Sequence, residues 1–136
     1  MNVEVLISNN FRREAKRYIK KFRTLKEELT ALQLSLMQDP NQGIKIAEDV
    51  YKIRLASKSK GKGKSGGFRI INYLIQTEET EDNLAKISVI LLSIYDKSET
   101  STLSDTDISN LIEDFHHQQA TEKEEEGNDV EESVAD

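Results

Sequence analysis

The sequence predicts an α+β fold in which helices pack on an antiparallel β-sheet. Two observations support this prediction. Apolar residues recur at intervals of three and four between residues 10 and 38, which is the helical period, whereas three later segments are rich in β-branched and aromatic residues. The predicted order is a strand, one or two helices, three antiparallel strands and a last helix. A chain of 136 residues is long enough for one modest hydrophobic core.

The N-terminal part predicts a short strand over residues 3–7 and then a helix that Asn10 caps. Thr24 and Glu27 have the spacing of a capping box, which predicts the start of a second helix. Because the apolar stripe hardly breaks before Thr24, one continuous helix over residues 10–38 stays open as an alternative. Three residues that disfavour helix end the segment: Asp39, Pro40 and Gly43.

The middle of the chain predicts three antiparallel strands, over residues 50–56, 68–75 and 86–95. An acidic turn over residues 77–83 connects the last two. Residues 87–94 are almost continuously apolar, as in a strand that is covered on both faces. Asp105 or Thr106 is expected to cap the last helix. That helix presents an apolar stripe made of Ile108, Leu111, Ile112 and Phe115.

Charge divides the chain into two unlike parts. The net charge is −6, but residues 116–136 alone contain eight acidic residues and one lysine. A block of like charge with few apolar residues predicts disorder. We therefore expect a folded domain over residues 1–117 and a disordered acidic tail over residues 118–136. The tail is either a solubilising appendage or a competitor for the cationic residues of the domain.

Several classes of function are disfavoured by composition and spacing. Without cysteine, neither a disulfide framework nor a thiolate metal site exists, and no run of 18 apolar residues or signal peptide is present, so we expect a cytoplasmic protein. His116 and His117 are adjacent and cannot form an opposed acid–base pair on a helix. The Gly-Lys-Ser at residues 63–65 lacks the glycine that a nucleotide-binding P-loop requires at position 58. Neither a metal nor a cofactor is expected.

Cationic residues concentrate around the predicted hairpin between residues 50 and 75. Seven occur in a stretch without any acidic residue: Lys52, Arg54, Lys58, Lys60, Lys62, Lys64 and Arg69. Alternation along the strand places Lys52 and Arg54 on one open face. The opposite, core face takes Tyr51, Ile53 and Leu55. The pattern predicts a surface that binds a polyanion such as a nucleic acid. The competing interpretation is a solvated sheet face without a partner.

Taken together, these segments resemble the RelE/HigB-like toxins of bacterial toxin–antitoxin modules. The resemblance covers about residues 3–115 and is carried by residues 11–36, 51–56, 62–71, 91–99 and 103–105. Its most specific part is the segment KGKSGGFR at residues 62–69. It implies a RelE-like fold, in which two N-terminal helices pack on a twisted antiparallel sheet that is followed by a C-terminal helix. The site is then expected on the opposite, concave face of the sheet.

The resemblance also implies an activity, which is ribosome-dependent cleavage of mRNA by attack of a 2′-OH on the adjacent phosphorus. An antitoxin, expected to be of the helix-turn-helix type, would hold the enzyme inactive. The implied catalytic residues are Lys52, Arg54, Arg69 and Lys97. Lys52 is also a candidate general base, and Lys97 a candidate acid for the leaving oxygen. The residues implied to bind RNA are Lys60, Lys62, Lys64, Tyr95 and Asp96.

Two other functions stay open. A ParE-like inhibitor of gyrase belongs to the same superfamily and cleaves nothing. A non-catalytic protein that binds RNA or a partner would keep the fold without the acid–base groups. The chain departs from several relatives at residues 98–104, where they carry a tyrosine or histidine and this sequence has neither.

Overall fold

The computed structural model describes residues 2–60, 67–78, 85–100 and 102–135, with side chains described as far as residue 123. Its elements in chain order are β1 (Asn2–Ile7), α1 (Asn9–Lys21), α2 (Leu25–Gln38), β2 (Ile44–Ala47), β3 (Val50–Leu55), a 3-10 turn (Lys58–Lys60), β4 (Phe68–Glu78), β5 (Ala85–Asp96) and α3 (Asp105–Ala135). The five strands form one sheet in the order β1-β5-β4-β3-β2. β1 runs parallel to β5, and the other neighbours are antiparallel. The α+β class is confirmed.

The sheet separates two hydrophobic clusters. On one face, α1 and α2 bury their stripes against alternate residues of β3, β4 and β5, such as Ile53, Phe68 and Ile94. On the other face, α3 packs through Ile108 and Phe115. The predicted packing of helices on one sheet is confirmed, with α3 on the face opposite to α1 and α2. Because β5 is buried on both faces from Ile87 to Asp96, its nearly continuous apolar sequence is explained.

The N-terminal helices are two, so the alternative of one continuous helix is wrong. The predicted cap of α1 is also wrong by two residues. Ser8 caps the helix through its Oγ, which accepts a hydrogen bond from the Phe11 backbone N at 3.0 Å. Asn10 instead lies inside the helix and donates its side-chain amide to the Leu92 carbonyl at 3.0 Å.

The predicted capping box of α2 does not form, although the helix starts where it was expected. Thr24 is the N-cap, but its side chain makes no cap hydrogen bond. Its hydroxyl pairs with the Ser59 hydroxyl at 2.5 Å, and the Thr24 backbone N donates to the same oxygen at 2.6 Å. The hydroxyl is therefore used to attach the 3-10 turn to the start of α2.

All four predicted strands are confirmed, as β1, β3, β4 and β5, with small differences in their ends. β4 extends to Glu78, two residues into the predicted acidic turn, and residues 79–84 lie outside the described part of the chain. β2 was not predicted. It has only four residues, all exposed, and a register shift between Lys45 and Ala47. A segment of four residues is at the lower limit of the length over which alternation identifies a strand.

The last helix begins at Asp105, but Ser104 caps it rather than Asp105 or Thr106. The Asp107 backbone N donates to Ser104 Oγ at 3.0 Å, and the Ser104 backbone N donates to the Asp107 carboxylate at 3.2 Å. α3 continues to Ala135, through residues for which the sequence predicts disorder. The boundary between a domain over residues 1–117 and a tail over residues 118–136 stays a prediction. Within the described residues, no helix combines the length and apolar character needed to cross a membrane.

Candidate functional site

A row of three residues crosses the sheet on the face that α3 covers. Arg54 on β3 is directly opposite Arg69 on β4, and Arg69 is directly opposite Tyr95 on β5. Directly paired residues on antiparallel strands point to the same face, with Cβ atoms about 5 Å apart. The face is identified by Tyr95, which packs in the cluster formed with α3. We call these three residues the arginine row.

A second row lies next to the first on the same face. Lys52 is paired with Ile71 of β4 and with Ile44 of the edge strand β2. Lys52 is half-buried, whereas Ile44 is 66% exposed. Ile44 could not be identified as a site residue from the sequence, because its position beside Lys52 depends on the pairing of β2. An exposed apolar side chain beside a cation offers a contact for a nucleobase or a ribose next to a bound phosphate.

Among the described residues, no carboxylate forms an ion pair with a member of the arginine row. The ion pairs in the described part of the chain involve four other cations: Arg17, Lys45, Lys60 and Lys86. Like charges directly opposite each other on neighbouring strands are destabilising. Arg54 and Arg69 therefore repel each other in the free protein, and an anion placed between them would relieve that repulsion.

Two members of the row are buried together. Arg69 is 5% exposed, and its Nη1 donates a hydrogen bond to the Phe68 carbonyl at 3.3 Å. Tyr95 is 4% exposed, and its hydroxyl has no hydrogen-bond partner among the described residues. Burial raises the pKa of Tyr95, although the nearby Arg69 charge opposes the change. At neutral pH the phenol keeps its proton and remains available as a donor beside a buried guanidinium.

The α1 side of the sheet holds the end of β5 in place. The Glu14 carboxylate accepts hydrogen bonds from Ser93 Oγ at 2.9 Å and from the Ile94 backbone N at 3.3 Å. The Tyr18 hydroxyl accepts one from the Asp96 backbone N at 3.2 Å. These bonds fix the residues on either side of Tyr95 and so define where Tyr95 enters the row.

Lys60 and Asp96 do not join the arginine row. Lys60 Nζ forms an ion pair with Asp96 Oδ1 and donates to the Gly67 carbonyl at 3.3 Å. It also lies over the Phe68 ring, 5.1 Å from the centroid, in the cluster that α1 and α2 cover. The two side chains are 10% and 5% exposed, so neither presents a free charge to a ligand. Their predicted role in binding RNA has no support in this geometry.

The remaining predicted residues are placed as follows. Lys62 and Lys64 lie outside the described residues. Lys97 is exposed in the turn after β5, two residues beyond Tyr95. Gly67, the residue before β4, has a φ of +93°, and a Cβ there would approach the Leu55 carbonyl oxygen to 2.5 Å. Only glycine fits this close approach, which brings β3 and β4 together beside Arg69.

The site can bind an oxyanion without a metal ion. The two guanidinium groups can only donate hydrogen bonds, and the phenol carries an O–H donor at neutral pH. A guanidinium group also matches a phosphate in a bidentate geometry. In the described part of the chain, no group of three or more carboxylate or histidine side chains is arranged to hold a metal. His116 of α3 lies against the ring of Tyr73 on β4, with the ring centroids 5.9 Å apart. It is not part of the arginine row.

No protein-family model matches the chain. Among solved structures, it is similar to a mutant of the E. coli toxin RelE in the free state, in which two arginines are replaced by alanine. The alignment covers 87% of this chain and 98% of that chain, with 16% sequence identity and a TM-score of 0.47.

Proposed function

We propose that the protein is the toxin of a toxin–antitoxin module and that it acts on mRNA as an endoribonuclease at the ribosome. The arginine row supports the proposal most directly, because two cations and a phenol lie side by side without a described carboxylate partner. The sequence resemblance to RelE/HigB-like toxins supplies the reaction class. An antitoxin encoded with the protein would hold it inactive.

The proposed reaction is attack of a ribose 2′-OH on the adjacent phosphorus, with release of the 5′-oxygen of the next nucleotide. Negative charge grows on the phosphoryl oxygens in the transition state. Cations fixed at that position lower the barrier more than they strengthen binding of the substrate. Arg54 and Arg69 would bind these oxygens, and Lys52 or Tyr95 would exchange the protons. Lys97 is proposed as a donor to the leaving oxygen.

A non-catalytic RNA-binding protein is the second candidate, and one observation favours it. Arg69 and Tyr95 are almost fully buried, so in this conformation Arg54 and the half-buried Lys52 are the members of the site that RNA reaches directly. Binding through these two cations requires no chemistry. Cleavage requires that the covered part of the row meets the phosphate.

The test is expression of the protein in bacteria without its antitoxin, together with Arg54→Ala/Arg69→Ala and Lys97→Ala variants. We expect the wild type to stop growth and to leave cleaved mRNA with 2′,3′-cyclic phosphate ends. The double variant should lose this activity, because one charge-assisted phosphate contact contributes roughly 1.5–3 kcal/mol, or about ten- to a hundredfold. Lys97→Ala should slow cleavage more than it weakens RNA binding.

The matched control is Arg13→Ala/Lys21→Ala, which removes the same charge from exposed positions of α1. This control should remain toxic. If the Arg54→Ala/Arg69→Ala variant folds and is as toxic as the wild type while mRNA stays intact, the ribonuclease proposal is wrong. Inhibition of gyrase in a supercoiling assay then becomes the leading explanation. RNA binding without cleavage by the wild type would establish the second candidate.

A further inference from the structure

An open groove of about 450 Å³ runs between α1 and α2. It lies on the opposite side of the sheet from the arginine row, because α1 and α2 pack on the other face. Its floor is apolar and is formed by Ile7, Phe11, Ala15, Ile19 and Leu29. Ile7 and Ile19 are only half-buried, so the groove exposes apolar surface that the fold itself does not cover.

The rim of this groove is cationic. Four exposed side chains line it, namely Arg12, Lys16, Lys20 and Lys26, and none of the described lining residues is acidic. None of the four belongs to an ion pair between described residues. An apolar floor with a cationic rim is complementary to a helix that carries apolar residues on one face and carboxylates beside them.

The chain itself contains a segment of this chemistry at its acidic end. Residues 122–136 carry eight carboxylates, and Val130 and Val134 are four residues apart, the interval of neighbours on one helix face. α3 includes this segment as far as Ala135. The acidic end therefore combines the negative charge and the apolar spacing that the groove requires.

α3 packs on the face of the sheet opposite to the one that carries the groove. α3 passes the start of α1 at Gln118, whose Oε1 accepts a hydrogen bond from the Asn9 backbone N at 2.7 Å. The helix then continues to Ala135, roughly 25 Å further at the rise of an α-helix. A continuous helix cannot turn back into its own groove, but it is free to enter the groove of a neighbour.

We propose that the groove between α1 and α2 binds the acidic end of α3 from a second copy of this chain. Each copy then offers one groove and one acidic end, so the contact is head-to-tail. It closes when two copies exchange their ends or when several form a ring, and otherwise it continues as an open chain. The attraction depends on exposed charges and is expected to weaken as salt rises. This proposal is independent of the proposed ribonuclease activity, because it uses another surface.

The test is sedimentation velocity of the full chain over a range of concentrations at low and high salt. We expect the sedimentation coefficient to rise with concentration at low salt and the association to weaken at least about tenfold at high salt. Lys16→Glu/Lys20→Glu should remain monomeric. Arg13→Glu/Lys21→Glu makes the same change in charge on the same helix, outside the groove, and should associate like the wild type.

A charge exchange makes the result specific for the two surfaces. A variant with Glu124, Glu125 and Glu126 all changed to Lys should be monomeric alone, because its end then carries four lysines against five acidic residues and no longer attracts a cationic groove. Mixed with Lys16→Glu/Lys20→Glu, it should form a complex. The proposal is overturned if the wild type stays monomeric at every concentration, if the two α1 variants behave alike, or if the mixture of monomers forms no complex.

Discussion

Asn72 on β4 is a buried polar residue whose position works against stability. It is fully buried, and neither its Nδ2 nor its Oδ1 has a hydrogen-bond partner among the described residues. Leaving a buried donor or acceptor unpaired costs about 1–3 kcal/mol. We expect Asn72→Leu, which keeps the branching of the side chain, to raise the free energy of unfolding by about 1 kcal/mol or more. Urea denaturation measures this change, and a loss of stability would show that Asn72 has a partner in solution.

The buried carboxyl of Glu14 makes the free energy of unfolding depend on pH. Burial raises the pKa of its carboxyl, although hydrogen bonds from Ser93 and Ile94 oppose the rise. The folded protein therefore holds this proton more tightly than the unfolded chain, and the contribution of Glu14 to stability increases as pH falls from neutral through the raised pKa. Glu14→Gln removes this dependence.

We therefore expect the wild type to gain stability relative to Glu14→Gln when urea denaturation is carried out at pH 5 instead of pH 7. Glu113→Gln is the control, because Glu113 is an exposed residue of α3. Its difference from the wild type should stay constant between the two pH values. An equally constant difference for Glu14→Gln would contradict the assignment of a raised pKa.

Among the elements, the long strands and the three helices were predictable because their residue types and periodicity agree along many residues. The position of Lys60 could not be predicted, because the alternation of side chains applies to strands and Lys60 lies in the 3-10 turn at Lys58–Lys60. The pairing of Arg54 with Arg69 was also beyond the sequence. Twelve residues separate β3 from β4, and a loop of that length does not determine which residues face each other. The arginine row depends on that register.

The attachment of the 3-10 turn to β5 depends on the buried ion pair between Lys60 and Asp96. Asp96 Oδ1 also accepts hydrogen bonds from the Ser98 backbone N at 2.9 Å and from Ser98 Oγ at 2.8 Å. Burial works against the charge of Asp96, but the hydrogen bonds from Lys60 and Ser98 outweigh it and lower the pKa. This stability is present above the ordinary aspartate pKa and is lost as pH falls through the lowered value.

Asp96→Asn should therefore destabilise the protein by about 3 kcal/mol at neutral pH, because it leaves the Lys60 charge buried without a counter-ion. Thermal unfolding monitored by circular dichroism tests this prediction. The deficit should shrink as pH falls through the lowered pKa of Asp96, because the wild type then also loses this charge. Asp114→Asn, at an exposed position of α3, should change the stability by less than about 0.5 kcal/mol.

At the scale of the whole molecule, α3 has a packed part and an extension. Ile108, Leu111, Ile112 and Phe115 belong to the cluster on the α3 face of the sheet. We expect truncation after Gln119 to change the free energy of unfolding by less than about 0.5 kcal/mol. Truncation after Asn110 removes Phe115, which is 2% exposed, together with two of its neighbours, and should cost at least about 3 kcal/mol.

Chemical denaturation of the two truncated proteins tests whether residues 1–117 form a stable folded domain or whether the acidic end is required for its stability. If the protein truncated after Asn110 were as stable as the wild type, the packing of α3 on the sheet would not contribute to stability. A large loss after truncation at Gln119 would place the acidic end inside the domain and contradict the predicted boundary.

The repulsion between Arg54 and Arg69 also links ligand binding to folding. An anion that binds only the folded protein adds a free energy of RT ln(1 + [L]/Kd) to its stability, about 2.7 kcal/mol at a hundredfold excess over Kd. The repulsion between the two arginines lowers the stability of the ligand-free protein, and a bound anion restores it. In the cell, the ligand-bound protein would resist proteolysis better than the free protein, so its lifetime would report whether the site is occupied.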